Sequence, residues 1–217
     1  MSPATPPPQP AQNCPLCLRL AEFRAGNRQA HPDWFNAPVP SFGPPDASLL
    51  IVGLAPGLKG ANRTGRPFTG DFAGDLLYRT LIEFGFASGQ YGQRPDDGLT
   101  LNGCRITNAV RCVPPENKPT PAEIKTCRPF LAGEIGTGGG PRAILALGRI
   151  AHDSTLAALG QRLSAFKFAH AARHDIIGQL TLFDSYHCSR YNTQTGVLTE
   201  EMFRQVFEQI RRFLAAD

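Results

Sequence analysis

The sequence predicts an α/β fold: a three-layer αβα sandwich around a central four-stranded parallel sheet. Three observations carry that reading. Short, nearly uninterrupted apolar runs recur along the 217 residues. Stretches of helical periodicity separate them, so strand and helix alternate. The runs also lack polar alternation, as expected of strands covered on both faces, the condition of parallel strands between helical layers.

The first strand is Ser48-Leu-Leu-Ile-Val-Gly-Leu-Ala55, which stops at Pro56-Gly57. A Gly-rich loop follows. From Asp75 to Phe86, Leu76, Leu77, Tyr78, Leu81, Ile82 and Phe84 then recur at helical spacing. Arg105 to Val110 forms a short second strand that delivers Asn108 and, just beyond it, Cys112. Thr120-Pro-Ala-Glu123 starts a helix, with Pro in the first turn and an acid three residues after the cap; it runs towards Ile135 and carries Cys127. Gly138-Gly-Gly-Pro141 breaks the chain before the third strand, Ala143 to Gly148, and a helix through Leu159. The fourth strand is Leu180 to His187, and Thr199 to Ala216 closes the chain as an amphipathic helix with Met202, Val206, Ile210 and Phe213 inward. In such sheets a ligand binds outside the carboxyl ends of the strands. The Gly53–Gly57 turn, Asn108 and His187 all fall there.

Composition bounds the class. Hydrophobic residues are 41% and charged ones 18%, a globular balance. The net charge of +4 permits a nucleic-acid partner without demanding one. Arg63, Arg66, Arg105, Arg111 and Arg190 gather near the loops of interest. Residues 1–12 are Pro-rich and predict a disordered tail, leaving residues 13–217 as one domain. They lack the apolar run of a signal peptide, and no stretch reaches the roughly 20 apolar residues of a membrane span. These absences predict a cytoplasmic protein with no membrane partner. In that compartment thiols stay reduced.

Four cysteines stand in two remote pairs, Cys14-Pro-Leu-Cys17 and Cys112 with Cys127. The first spacing lets two sulfurs face one ion or cluster, and the fold must supply the second pair. Metal or cluster ligation is therefore preferred over disulfides. The loop from Gly53 to Asp71 places glycines beside Asn62, Arg63, Arg66 and Phe68. It lacks the Gly-Lys-Ser/Thr of a phosphate loop and the dinucleotide fingerprint. Phe68 reads equally as a core anchor or as a stacking face for a base. Asp71 and Asp75, one helical turn apart, read as helix caps or as carboxylates that orient a water. Asn108 is a turn former or an amide suited to a pyrimidine edge. His187 opens the polar run His-Cys-Ser-Arg-Tyr-Asn-Thr-Gln-Thr-Gly and could donate to a developing anion. Two rival classes remain at this point: a non-catalytic four-cysteine module that binds nucleic acid, and a metal-dependent nucleotide hydrolase.

The stretches Gly53–Gly57, Gly60–Asp71, Asn108–Pro121 and His187–Thr199, with the four cysteines, resemble the uracil-DNA glycosylase superfamily, most closely its iron–sulfur family 5 (type B). The resemblance implies a [4Fe–4S] cluster on Cys14, Cys17, Cys112 and Cys127. It implies a monomeric, monofunctional enzyme that flips uracil, and other deaminated bases such as hypoxanthine or xanthine, from DNA and leaves an abasic site. By the same resemblance Phe68 stacks on the base, Asn108 reads its edge beside Gly53, Leu54 and Ala55, and His187 stabilises the departing anion. Asn62, Arg63, Ser189 and Arg190 are implied to contact DNA. Sister families carry a polar residue just after the first strand to activate water. Here the motif reads Gly53-Leu-Ala-Pro56, so Asp75 is the first choice to position water and Asp71 the second. Cys188 replaces a customary Pro, while Cys104 and Cys188 read as ordinary thiols.

Overall fold

The computed structural model describes residues 7–136 and 139–216. In chain order the elements are α1 (Leu18–Ala30), β1 (Leu49–Gly53), α2 (Ala61–Thr64), α3 (Phe72–Glu83), β2 (Ala87–Ser88), β3 (Thr100–Leu101) and β4 (Cys104–Asn108). They continue as α4 (Pro121–Gly136), β5 (Ala143–Leu147), α5 (Arg149–Ala158), β6 (Arg173–Ile177), β7 (Leu180–Ser185), α6 (Arg190–Gln194) and α7 (Glu200–Leu214). The main sheet has the order β4-β1-β5-β7-β6. The four expected strands are all parallel, and a fifth, β6, adds to β7 antiparallel at the edge.

Alternation along β1 sorts the core into two faces. Leu49 and Ile51 join Leu77 and Leu81 of α3 and Phe203, Val206 and Phe207 of α7. Leu50 and Val52 join Leu131 and Ile135 of α4 and Ala151 and Leu156 of α5. Every residue of β1 and β5 is buried, which explains their unbroken apolar runs. Removing any one of these large side chains would cost about 2–5 kcal/mol.

Three expectations change in detail. The helix read from Asp75 begins at Phe72, with the Asp71 side chain as its cap, because Oδ1 accepts from the Gly74 N–H. Residues 1–6 of the expected tail, and Gly138 of the chain break, lie outside the described residues. Residues 7–12 pack against the body rather than trailing from it: Pro7 is buried, and Gln9 Nε2 donates to Glu134 Oε1 at 2.7 Å. A buried carboxylate on α4 gains a partner there, which offsets the ordering of this short stretch. Among the described residues no helix is long and apolar enough to cross a membrane.

Candidate active site

β1 and β4 end side by side, with Gly53 opposite Asn108 in the register. The chain leaves β1 into the Gly-rich loop, while the segment after β7 brings in His187. These pieces enclose a cavity of about 570 Å³ at the carboxyl edge of the sheet, lined by Phe68, Asp71, Asn108 and His187, with Leu54, Ala55, Ser189 and Arg190 among its other walls. Its size suits a small-molecule pocket. Gly53 stands behind it for a steric reason. A Cβ there would collide with Asn108 Oδ1 and come within 2.7 Å of the Phe68 ring.

Phe68 is buried and adopts φ of 52°, the left-handed region that an aromatic residue rarely enters. Such a conformation costs on the order of 1–3 kcal/mol and persists only where surroundings enforce it. Its ring centroid lies 6.0 Å from that of His187, with planes 30° apart. Asn108 is 4% exposed, yet its amide makes no hydrogen bond among the described residues. The His187 imidazole finds none either. Both groups line the cavity with hydrogen-bonding capacity free for a molecule that enters it. Burial alone pushes the His187 pKa below its ordinary value, leaving the ring neutral at neutral pH, with one donor and one acceptor nitrogen.

The two aspartates separate. Asp71 lines the cavity, and burial raises its pKa although the backbone N–H groups of Gly74 and Ala73 pull the other way. Asp75, the first choice from sequence, is not brought to the cavity. It borders a different, shallow depression beside Arg79 and Tyr91, where its Oδ1 accepts from Gln93 Nε2 at 2.7 Å. One residue of helix start decides this: Asp71 as the cap points back across the strand ends, and Asp75 lies a turn further along.

Asn62 lies inside the fold. It is 1% exposed and donates through Nδ2 to Asn36 Oδ1 at 2.9 Å, tying two loops together. The grouped arginines divide as well. Arg66 is buried on Asp97, and Arg105 and Arg111 converge on Glu134. Arg63 and Arg190 remain exposed; Arg190 sits over the Phe72 ring at 5.3 Å on the cavity rim with Ser189. Lys59 and Asn117 also reach this rim and were not singled out in the sequence. Asn117 follows Glu116 in the left-handed region, φ 57° after 54°, and only the polar Pro-rich run around them hinted at a shaped loop.

Cys14, Cys17, Cys112 and Cys127 line one small apolar hollow between α1, α4 and the end of β4. Arg24 Nη1 donates to Cys112 Sγ at 3.3 Å and the Arg111 N–H to Cys127 Sγ at 3.4 Å. Burial pushes both the Cys112 and Cys127 thiols up to about 11. No disulfide joins any of the six cysteines, and Cys104 and Cys188 are buried apart from this hollow. Among the described residues the one set of three or more His, Cys, Asp or Glu ligand atoms within 4.8 Å of one another is elsewhere: His152, His174 and Asp184. Hence the sulfurs stand wider than the roughly 3.8 Å that a single tetrahedral zinc with 2.3 Å bonds would impose. Two buried and two half-buried sulfur donors around one hollow are a donor set of the kind that holds a metal or cluster.

The His152 group lies between α5, β6 and β7, away from the cavity. His152 Nδ1 is 2.8 Å from Asp184 Oδ1, its Nε2 is 3.0 Å from the Phe166 carbonyl, and His174 Nε2 is 3.1 Å from Asp184 Oδ2. Both nitrogens of His152 thus face acceptors. Burial disfavours the imidazolium, but Asp184 and the carbonyl outweigh it, and the pKa is raised.

The family model of the uracil DNA glycosylase superfamily matches residues 40–211. A Type-5 uracil-DNA glycosylase of Thermus thermophilus is 47% identical over 205 residues, spanning 92% of this chain and 93% of that protein. A Type-5 enzyme of Pyrobaculum aerophilum is 36% identical over 91% of this chain and 87% of its own length. A Type-4 uracil-DNA glycosylase of Sulfurisphaera tokodaii is 30% identical over 78% of this chain and 73% of its own.

Proposed function

The chain belongs to the uracil-DNA glycosylase superfamily, and from that premise we propose that it excises uracil from DNA by hydrolysing the N-glycosidic bond, leaving an abasic site. The observation that carries the reading is the cavity in which Phe68 offers a ring while Asn108 and His187 hold unmet hydrogen-bonding groups. An everted uracil lies on the Phe68 face and satisfies the Asn108 amide through its edge. Everting the base costs a few kcal/mol, least at a mismatch such as U·G.

In the chemical step the C1′–N1 bond breaks and the electron pair leaves with the base. His187, kept neutral by burial, donates an N–H to the oxygen on which that charge collects. Asp71 replaces Asp75 as the group that orients the water. The water oxygen bonds to C1′, and a water proton is lost to solvent or to the departing base. An oxocarbenium-like sugar needs only a weak nucleophile, so a carboxylate that positions water suffices. Ser189, Arg190 and Lys59 on the rim face the DNA backbone and the gap left by the flipped nucleotide, and the exposed Arg63 adds charge nearby.

Hypoxanthine and xanthine extend the proposed range, because Leu54 and Ala55 give the cavity apolar walls where a polar side chain would crowd a bicyclic base. We assign a [4Fe–4S] cluster to Cys14, Cys17, Cys112 and Cys127, which would clamp α1 and α4 to the end of β4. Bound there, it supplies structural cross-linking. The enzyme is proposed to act as a monomer.

Incubation with U·G duplex in EDTA, followed by alkali, tests the activity. Strand breakage at uracil is expected. No breakage, or dependence on a divalent metal, would reject it. Iron and sulfide analysis of anaerobically purified protein tests the cluster: about four of each per chain are expected, lost together with folded yield in Cys17→Ser. Stoichiometric zinc in place of iron would refute it.

A further inference from the structure

We propose that Tyr91, on the excursion between β2 and β3, is a positioning residue that holds the Phe68 ring at the angle the everted base requires. The proposal rests on the reading of Phe68 as the stacking face. Phe68 stands in the left-handed region, and the peptides on either side of it are gripped by two tyrosines. Tyr78 Oη donates to the Pro67 carbonyl at 2.6 Å. Tyr91 Oη donates to the Phe68 carbonyl at 3.1 Å and accepts from the Gly70 N–H at 3.4 Å. A single hydroxyl therefore bridges the two consecutive peptides that follow Phe68, fixing the turn that sets the ring. The two tyrosine rings stack at 4.5 Å.

The grip is itself anchored. The Arg66 guanidinium sits 5.4 Å from the Tyr78 ring and 5.8 Å from that of Tyr91. Asp97 holds it through bonds of 2.8 and 2.7 Å. The same carboxylate accepts from the Gly92 and Leu99 N–H groups, so the excursion and the Phe68 loop are tied into one unit. Gly74 in the first turn of α3 has no room for a side chain, since a Cβ would strike both the Phe68 carbonyl and Tyr91 Oη. Burial raises the Tyr91 hydroxyl to about 12, so it remains a donor across the working range of pH. Tyr91 is absent from the walls of the cavity, so its influence passes through Phe68 and not through contact with the base.

A double-mutant cycle tests this. Single-turnover excision from a U·G duplex is measured for the wild type, Tyr91→Phe, Phe68→Leu and the double variant, alongside affinity for a duplex carrying non-cleavable 2′-fluoro-deoxyuridine. Tyr91→Phe is expected to slow excision about tenfold through misplacement of the ring, with affinity changed by less than about twofold. In the Phe68→Leu background the same change should have almost no effect, because coupled residues are non-additive. Equal slowing in both backgrounds, or none in the wild type, would overturn the proposal. Should Phe68→Leu alone leave excision intact, the stacking reading itself fails, a distinct outcome. Asp97→Asn gives a second variant that keeps the aromatic rings: a smaller slowing, again absent without Phe68, is expected.

Discussion

His187 and His152 are both withdrawn from water at the flanks of one sheet, and the chain treats them in opposite ways. His152 has an acceptor at each nitrogen, and its pKa is raised in spite of burial. His187 has none, and burial lowers its pKa unopposed. The first sits in a completed network between α5 and β7 that favours its charged form. The second is a neutral ring with a spare donor, facing a cavity where the Asn108 amide is equally unengaged. Buried polar groups normally find partners within the protein. Asn108 and His187 instead line one cavity with hydrogen-bonding capacity to spare, as a ligand site requires. On the proposed reading the tighter, more metal-like cluster is structural and the looser pair serves the substrate.

The largest expected effect sharpens this contrast. His187→Ala should slow excision by about 10²–10³-fold while duplex affinity changes little, measured by single-turnover kinetics and anisotropy. His152→Ala, in protein that stays folded, should leave the rate nearly unchanged; comparable losses in both would break the comparison.

Next come the paired aspartates. Asp71→Asn should reduce excision by about 10²-fold and raise the melting temperature at neutral pH. The sign follows from the raised pKa of Asp71: its charged form is disfavoured by folding, so the neutral amide, an equally good helix cap, relieves that cost. Excision by the wild type should fall at acid pH with a midpoint above the ordinary carboxylate value. Asp75→Asn should change the rate less than about twofold, as surface substitutions do. The reverse ranking would return the water-orienting role to Asp75.

The smallest effect concerns stability alone. His152→Gln should cost about 2 kcal/mol at pH 6, the scale of a charge-assisted hydrogen bond. Since the folded pKa is raised, the wild-type advantage is complete below the unfolded value of about 6.5 and is lost as pH rises through the folded one. Denaturant melts of both proteins at pH 6 and pH 9 check this. A gap that widens with pH would contradict a raised His152 pKa.

The sheet was legible chiefly because β1 and β5 are buried on both faces and read as apolar runs, with the mixed β4 and β7 placed by the alternation of strand and helix. β6 was not, since Arg173-His-Asp175 opens an edge strand with polar residues, and only Gly178-Gln179 before Leu180 marks a tight hairpin. α1 escaped because of its hydrophobic residues only Leu20 is buried; it is held instead by Arg24 at Cys112 and by Arg28 at the Asn36 carbonyl. At the site, convergence of the Gly53–Gly57 turn, Asn108 and His187 follows from strand ends in a parallel sheet, while the stacking place of Phe68 and the roles of the others came from resemblance. What sequence could not separate were residues of one type. Arg66 and Arg190 differ only because Asp97, 31 positions away, meets the first. Asp71 and Asp75 differ by where one helix begins.

The most direct measurement is a crystal structure of the protein with uracil bound. The ring should lie on the Phe68 face, with the Asn108 amide along its edge and a His187 nitrogen within hydrogen-bond reach of a carbonyl oxygen. Uracil seated elsewhere, with Asn108 and His187 still unengaged, would contradict the account.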